Sequence, residues 1–269
     1  MTRSYRSLVP GEMPFTIRLA TSESDLLGAQ RLRYRVFVEE LGGDGDLVDH
    51  EGRFERDIFD PYYDHMVLID PQRDEATLDH VIGVYRLLPG DRRARMGRFY
   101  CESEYDLSPL EASGRKLLEL GRSCVEPANR GGAALFQLWQ GLGAYVTERQ
   151  IEVLFGVASF HGTDIDALRA PLSLLHHRHL APEELRVRAI GDGAVALDLM
   201  PEAEIDRPAA MRTVPALIKS YLRLGGCIGE GAYVDRAFNT TDICLVMDVS
   251  HIGEKQRAVY AGAPAGRRA

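Results

Sequence analysis

Two charged residues stand inside an apolar run in the stretch from Lys116 to Trp139, KLLELGRSCVEPANRGGAALFQLW. They are Glu119 and Arg122, flanked by Leu118, Leu120, Cys124 and Val125. A charge in such a run is rare unless it is paired or put to use. A carboxylate there can accept a proton, and a guanidinium can order a site or pair an acid. An ion pair of Glu119 with Arg122 or Arg86 would also satisfy the pattern. Pro127-Ala128-Asn129 ends the run, Arg130-Gly131-Gly132 turns the chain, and Ala133 opens an apolar stretch through Leu135, Phe136, Leu138 and Trp139. Adjacent glycines at a helix start let the backbone approach a ligand, and the unpaired N–H groups there suit phosphate oxygens. The same glycines also serve tight packing, so the turn alone does not decide between the two.

Other constellations carry less chemistry. Asp44, Asp46 and Asp49 lack the DxDxDG order and the terminal glutamate of a calcium loop. Ser159, His161 and Asp164 are too close in sequence to face one another as a triad, and no GxSxG is present. His176, His177 and His179 fall at a helix C-terminus, where histidines act as dipole partners, with no acidic ligand at helical spacing. Cys101, Cys124, Cys227 and Cys244 form no CxxC pair, and buried thiols in a reducing compartment fit them. No metal site is predicted.

The elements that must position Glu119 and Arg122 follow from periodicity. Phe15, Ile17 and Leu19 alternate with polar residues and predict a half-buried strand. Ser22 to Asp25 fits a capping box for a helix carrying Leu26, Ala29, Leu32, Val36 and Phe37 near one stripe. Its Arg31, Arg33 and Arg35 read, on spacing alone, as a solvated basic face. His65–Ile69 and Val81–Leu88 predict a hairpin with residues 70–79 as its loop. The central strand ends at Val125, and on a regular strand Arg122 faces opposite to Glu119. Ile151–Ser159 predicts the next strand, followed by a helix to about Arg178. Val214–Leu224 predicts a short amphipathic helix and Thr241–Val249 a last strand. Residues 1–14 read as a flexible leader, and 250–269 as a basic, disordered tail.

Five motifs, in order, resemble one family: LRYRVFVEELG, ERDIFDPYYDHMVL, VYRLLP, ELGRSCVEPANRGG, and a C-terminal pair, PALIKSYLRLGG with TTD. Strand, RGG turn and helix resemble the cofactor-binding core of the GNAT-type N-acyltransferases. Within that superfamily the motifs resemble the acyltransferases that acylate ornithine in ornithine-lipid synthesis and, more distantly, the acyl-homoserine-lactone synthases. The resemblance spans Phe15 to Val249. It implies an α/β (α+β) fold: a GNAT-like mixed, splayed central sheet flanked by helices, one domain over residues 15–249 with a C-terminal extension from about 180.

The implied reaction moves a 3-hydroxylated fatty acyl group from acyl carrier protein to the α-amine of ornithine, giving lyso-ornithine lipid. The resemblance assigns Glu119 as the base, directly or through a water, and Arg122 as an ordering residue. It places Arg33, Phe37, Asp57, Asp60 and Arg86 at the substrate, the two aspartates suiting a cationic amine. Val125, Arg130, Gly131, Gly132 and Ala133 would hold the phosphopantetheine arm of the acyl thioester, which is a co-substrate; no tightly bound cofactor is implied. Arg92, Arg93 and Arg95, which otherwise read as a solvated loop, would meet the acidic carrier protein. The chain departs from the family at Glu126 and Asn129, where a histidine and a tyrosine or lysine are common. Acylation of glutamine or glycine, a homoserine-lactone synthase and a non-catalytic carrier-binding module are the alternatives. The lipid-family extension argues against the synthase, and so does the missing tryptophan after LRYRVFVEELG, where Gly43 and Asp44 stand.

With 269 residues and 45% hydrophobic content, the chain can bury a sizeable core. A net charge of −8 argues against a general nucleic-acid binder. No run of about 18 apolar residues exists, and the N-terminus lacks an apolar signal core. The expected location is cytoplasmic; Lys219 and Arg223 beside Leu217, Ile218 and Leu222 would suit peripheral contact at the inner membrane, but core packing is the stronger reading of that helix.

Overall fold

The structure is a computed structural model that describes residues 15–130 and 133–253. The expected leader 1–14, Gly131 and Gly132 of the turn, and the tail from 254 lie outside the described residues. In chain order the strands are β1 (Thr16–Leu19), β2 (Asp64–Ile69), β3 (Val81–Pro89), β4 (Tyr105–Asp106), β5 (Leu117–Val125), β6 (Val153–His161), β7 (Arg188–Ala189), β8 (Ala194–Val195), β9 (Cys227–Ile228), β10 (Ala232–Asp235) and β11 (Thr240–Asp248). The helices are α1 (Glu23–Arg33), α2 (Arg93–Met96), α3 (Ser108–Ala112), α4 (Ala133–Arg149), α5 (Ile165–His179), α6 (Arg207–Thr213) and α7 (Ala216–Arg223).

The chain divides into two compact units. The first contains residues 15–88 and 120–150. Here β1 runs antiparallel to β2, with Ile17 opposite Leu68, and β2 antiparallel to β3, with His65 opposite Arg86. The part of β5 from Leu120 lies next to β3. Every residue of β3 is buried, which explains its unbroken apolar run and makes Arg86 an exception that needs partners. Helix α1 starts where Ser22 accepts the Asp25 N–H at 3.1 Å, the cap expected there. It continues into a π-helical segment, Tyr34–Glu40, in which the Leu41 N–H reaches back five residues to the Val36 carbonyl at 3.2 Å. Ala29, Leu32 and Val36 pack on Val67, Ile69, Val81, Val84 and Cys124. Helix α4 lies close to β1 and β2 because Gly141 has no side chain. A Cβ there would sit 2.6 Å from Ile17 Cγ1 and 3.0 Å from Met66 Sδ.

The second unit contains residues 89–119 and 151–252. Strands β6 and β11 pair antiparallel along their whole length, from His161 opposite Thr240 to Val153 opposite Asp248. Leu117–Glu119 of β5 pairs parallel with Val153–Phe155 of β6. On the other side β10 pairs with β11, and β8 with β10. Helix α5 is capped by Asp164 and carries Leu174 against Ile205 and Ala210, near α6. Arg115 closes a bidentate pair on Asp248, both bonds 2.7 Å, at the β5–β6 end. The region from 180 to 212 holds short turns, β7, β8 and most of α6.

Candidate active site

In the first unit the charged residues of four separate segments converge. Arg33, from the last turn of α1, is fully buried. Its Nε donates to Glu55 Oε2, and its Nη1 donates to Asp60 Oδ1 at 2.6 Å. Arg86, on β3, donates through Nη1 to Asp57 at 2.6 and 2.7 Å and to Asp60 at 2.9 Å. Its guanidinium lies 4.3 Å from the centroid of the Tyr63 ring. Arg122, on β5, completes the set, with Nε 3.1 Å from Glu55 Oε1 and Nη2 3.4 Å from Asp57 Oδ2. Gln30 adds a bond to Asp60 at 3.0 Å.

Three guanidinium groups thus meet three carboxylates, all formally balanced. Burial alone would raise the Glu55 carboxyl, but the Arg33 and Arg122 charges outweigh it and hold it at about 2. Burial acts on Asp60 in the same way, and Arg33 and Arg86 hold its carboxyl well below the usual carboxylate range. Burial is also the largest influence on Arg33, but Glu55 and Asp60 outweigh it and strengthen its hold on its proton. Arg33, Glu55 and Asp60 therefore stay ionised at neutral pH. Its accessible edge is the pair Asp57 and Arg122, with side chains 17% and 13% exposed. Glu55, the member with the strongest claim on Arg33, heads the ERDIFD segment. Its one legible signal is an acidic residue at the head of that segment.

Arg122 does not continue a regular strand. Its φ is +49°, the left-handed region, and the burial of β5 breaks from Gly121 to Ser123. The alternation that would face Arg122 away from Glu119 assumes a regular strand, and β5 is not regular at Arg122. A bulge-like kink re-aims a side chain next to a site.

In the second unit Glu119 is almost fully buried. It takes the Tyr100 N–H on Oε2 at 3.0 Å and the Cys101 N–H on Oε1 at 2.7 Å. Phe99 anchors the same turn, edge-on to Phe155 with ring centroids 5.0 Å apart. The two amides fix the plane of the carboxylate.

The remaining expected site residues are placed as follows. Phe37 is half-buried in the π-helical segment and packs on the α1 core. Val125 is buried at the end of β5, and its carbonyl accepts from Arg130 Nε at 3.0 Å. Arg130 is also held by Glu40, with both bonds 2.5 Å. Ala133 starts α4. Glu126 and Asn129, where the chain departs from the family, bond to each other at 2.7 Å, and Glu126 pairs with Arg73, also at 2.7 Å. Arg93 is engaged by Glu102 at 2.7 Å and Glu111 at 2.9 Å, whereas Arg95 is exposed and Arg92 half-buried. Cys101, Cys124 and Cys244 are buried free thiols, and burial pushes Cys124 up to about 12.

A mixed sheet flanked by helices, with a buried charge network in one unit and a fixed carboxylate in the other, is the fold of an N-acyltransferase of the GNAT type. Residues 32–140 match the family model described as an acetyltransferase (GNAT) domain. The chain is 58% identical, over 95% of its length and 98% of the other protein's, to an L-ornithine N(alpha)-acyltransferase of Rhodobacter capsulatus. It is 39% identical to one of Brucella abortus, covering 93% of this chain and 90% of that one. Among solved structures, TofI in an apo form shares the fold at a TM-score of 0.50 and 14% identity, over 94% of this chain and 99% of that one. The chain belongs to the L-ornithine N(alpha)-acyltransferase family.

Proposed function

We propose that this enzyme transfers a 3-hydroxy fatty acyl group from acyl carrier protein to the α-amine of ornithine, forming lyso-ornithine lipid as the first step of ornithine-lipid synthesis. The observation that carries the reading is the 58% identity, along nearly the whole of both chains, to a protein named for that activity. The neutral α-amine attacks the thioester carbonyl, the C–N bond forms, and the C–S bond breaks as the thiolate leaves. An α-amine has a pKa of about 8 and needs a proton acceptor, whereas a thiol of pKa about 8.5 leaves with little help. Glu119 takes that proton, directly or through one water, with its two backbone amides keeping it aimed. Asp57 and Arg122 are the network members that a substrate can reach. Arg33, Arg86, Asp60 and Glu55 lie behind and hold them in place. Val125, Arg130 and Ala133 flank the turn assigned to the phosphopantetheine arm.

Among the described residues no helix is long and apolar enough to cross a membrane. Work in the cytoplasm with peripheral contact at the inner membrane suits a lipid product. The test incubates the full chain with 3-hydroxyacyl carrier protein and ornithine, lysine, glutamine or glycine, and follows products by mass spectrometry. Acyl-ornithine supports the reading. Acyl-glutamine or acyl-glycine without acyl-ornithine moves the acceptor, and no product with any acceptor overturns the reading.

A further inference from the structure

In the second unit Glu104, Asp235 and Asp242 bring one carboxylate oxygen each to within 4.8 Å of one another. Glu104 and Asp242 are buried, and Asp235 is half-buried at the rim. Asp242 belongs to the TTD motif, to which the reaction as written gives no task. Thr240, two residues earlier on β11, is directly opposite Asp235 of β10. Residues two apart on a strand, and residues directly opposite across a ladder, share a face. Thr240, Asp242 and Asp235 therefore point to one side. Thr240 is 8% exposed, and its Oγ1 is buried with no hydrogen-bond partner. A buried hydroxyl left in this state beside converging carboxylates marks a place for a donor.

The surroundings hold the cluster rigid. The Glu104 N–H donates to the Cys101 carbonyl at 3.0 Å, on the turn that Glu119 clasps. The Tyr105 hydroxyl donates to the Asp242 carbonyl at 2.9 Å. Burial first, then nearby negative charge that includes Glu104 and Asp242, pushes that hydroxyl well above its ordinary value.

Resting on the acceptor reading above, we infer that Glu104, Asp235, Asp242 and Thr240 bind the side-chain ammonium of the amino-acid acceptor and select diamino acids. The α-amine is not the group held there, because it must lose its proton to attack. A side-chain amine, with a pKa of about 10.4 in the lysine case, stays charged and offers three donors. Asp57 and Asp60 are poorer hosts for it, because Arg86 and Arg33 already balance them. The cluster is thus a specificity element of the second unit that the motifs leave unassigned.

The test compares ornithine with norvaline, which has the same chain without the terminal amine, on the full-length protein. Binding is read by calorimetry without donor, and turnover with 3-hydroxyacyl carrier protein. Asp242→Asn, and the rim variant Asp235→Asn in case the buried change impairs folding, should weaken ornithine about 10- to 100-fold and leave norvaline unchanged. Equal losses for both acceptors, or no loss for ornithine, overturn the inference. So does MgCl2 or CaCl2 binding that needs Asp242 and is not displaced by ornithine. Ornithine binding through Asp242 without turnover upholds the inference and sinks the acceptor reading. Turnover with variants that do not discriminate does the reverse.

Discussion

Arg33 and Glu55 form a buried pair with neither side chain more than 1% exposed. Removing one member strands the other, at a cost of about 3–5 kcal/mol. Glu55→Gln should therefore lower the urea midpoint sharply at pH 7. The same pair sets an acid limit. The Glu55 carboxyl falls from an ordinary 4.5 unfolded to about 2 folded. A depressed folded value stabilises above the unfolded one, so the contribution is complete above about pH 5 and is lost as pH falls towards 2. It amounts to about 3 kcal/mol. Urea unfolding between pH 7 and 3 should show this loss, and in Glu55→Gln the Glu55 share of the slope should vanish. A slope identical to that of the parent would refute the assignment. Glu119 is tested differently. Glu119→Gln should cut kcat by at least about 100-fold. A lowered melting temperature with near-normal kcat would reduce it to a clamp for the Tyr100–Cys101 turn.

At the level of elements, β5 departs from its own pattern at Arg122. An alanine at ordinary φ is more stable than glycine by about 0.5–1 kcal/mol. At +49° the order reverses. Arg122→Gly should unfold at higher urea than Arg122→Ala, both having lost the Glu55 and Asp57 contacts. The usual order would mean that the kink is absent in solution. The strands and helices that frame β5 were legible because alternation and capping are local: β2, β3, α1 and the last strand fall where hydrophobic period and Ser22 place them. The kink was not legible, because Arg122 is a residue type that rarely adopts positive φ. Nor were the partners. Arg33 read as a solvated arginine because Glu55 is 22 residues on, and Glu104 meets Asp242 only through the sheet. Long-range pairing of charges leaves no periodic trace.

At the scale of the whole molecule, the proposed donor, an acyl carrier protein, is acidic, and so is this chain, with a net charge of −8. Overall repulsion slows such an encounter unless a local basic surface overrides it within a Debye length of about 8 Å at physiological salt. The segment with Arg92, Arg93 and Arg95 is the candidate, but its members are unequal. Arg93 is spent on Glu102 and Glu111, so reversing its charge would disturb the fold as well as the surface. Arg95 is exposed, which makes it the better probe. Arg95→Glu should raise KM for the acyl carrier donor several-fold at low salt. The difference from the parent should shrink as salt rises. A short acyl-pantetheine thioester carries no acidic helix, so its KM should not move. Equal loss with both donors would place Arg95 in the thioester site instead of on the carrier's docking surface.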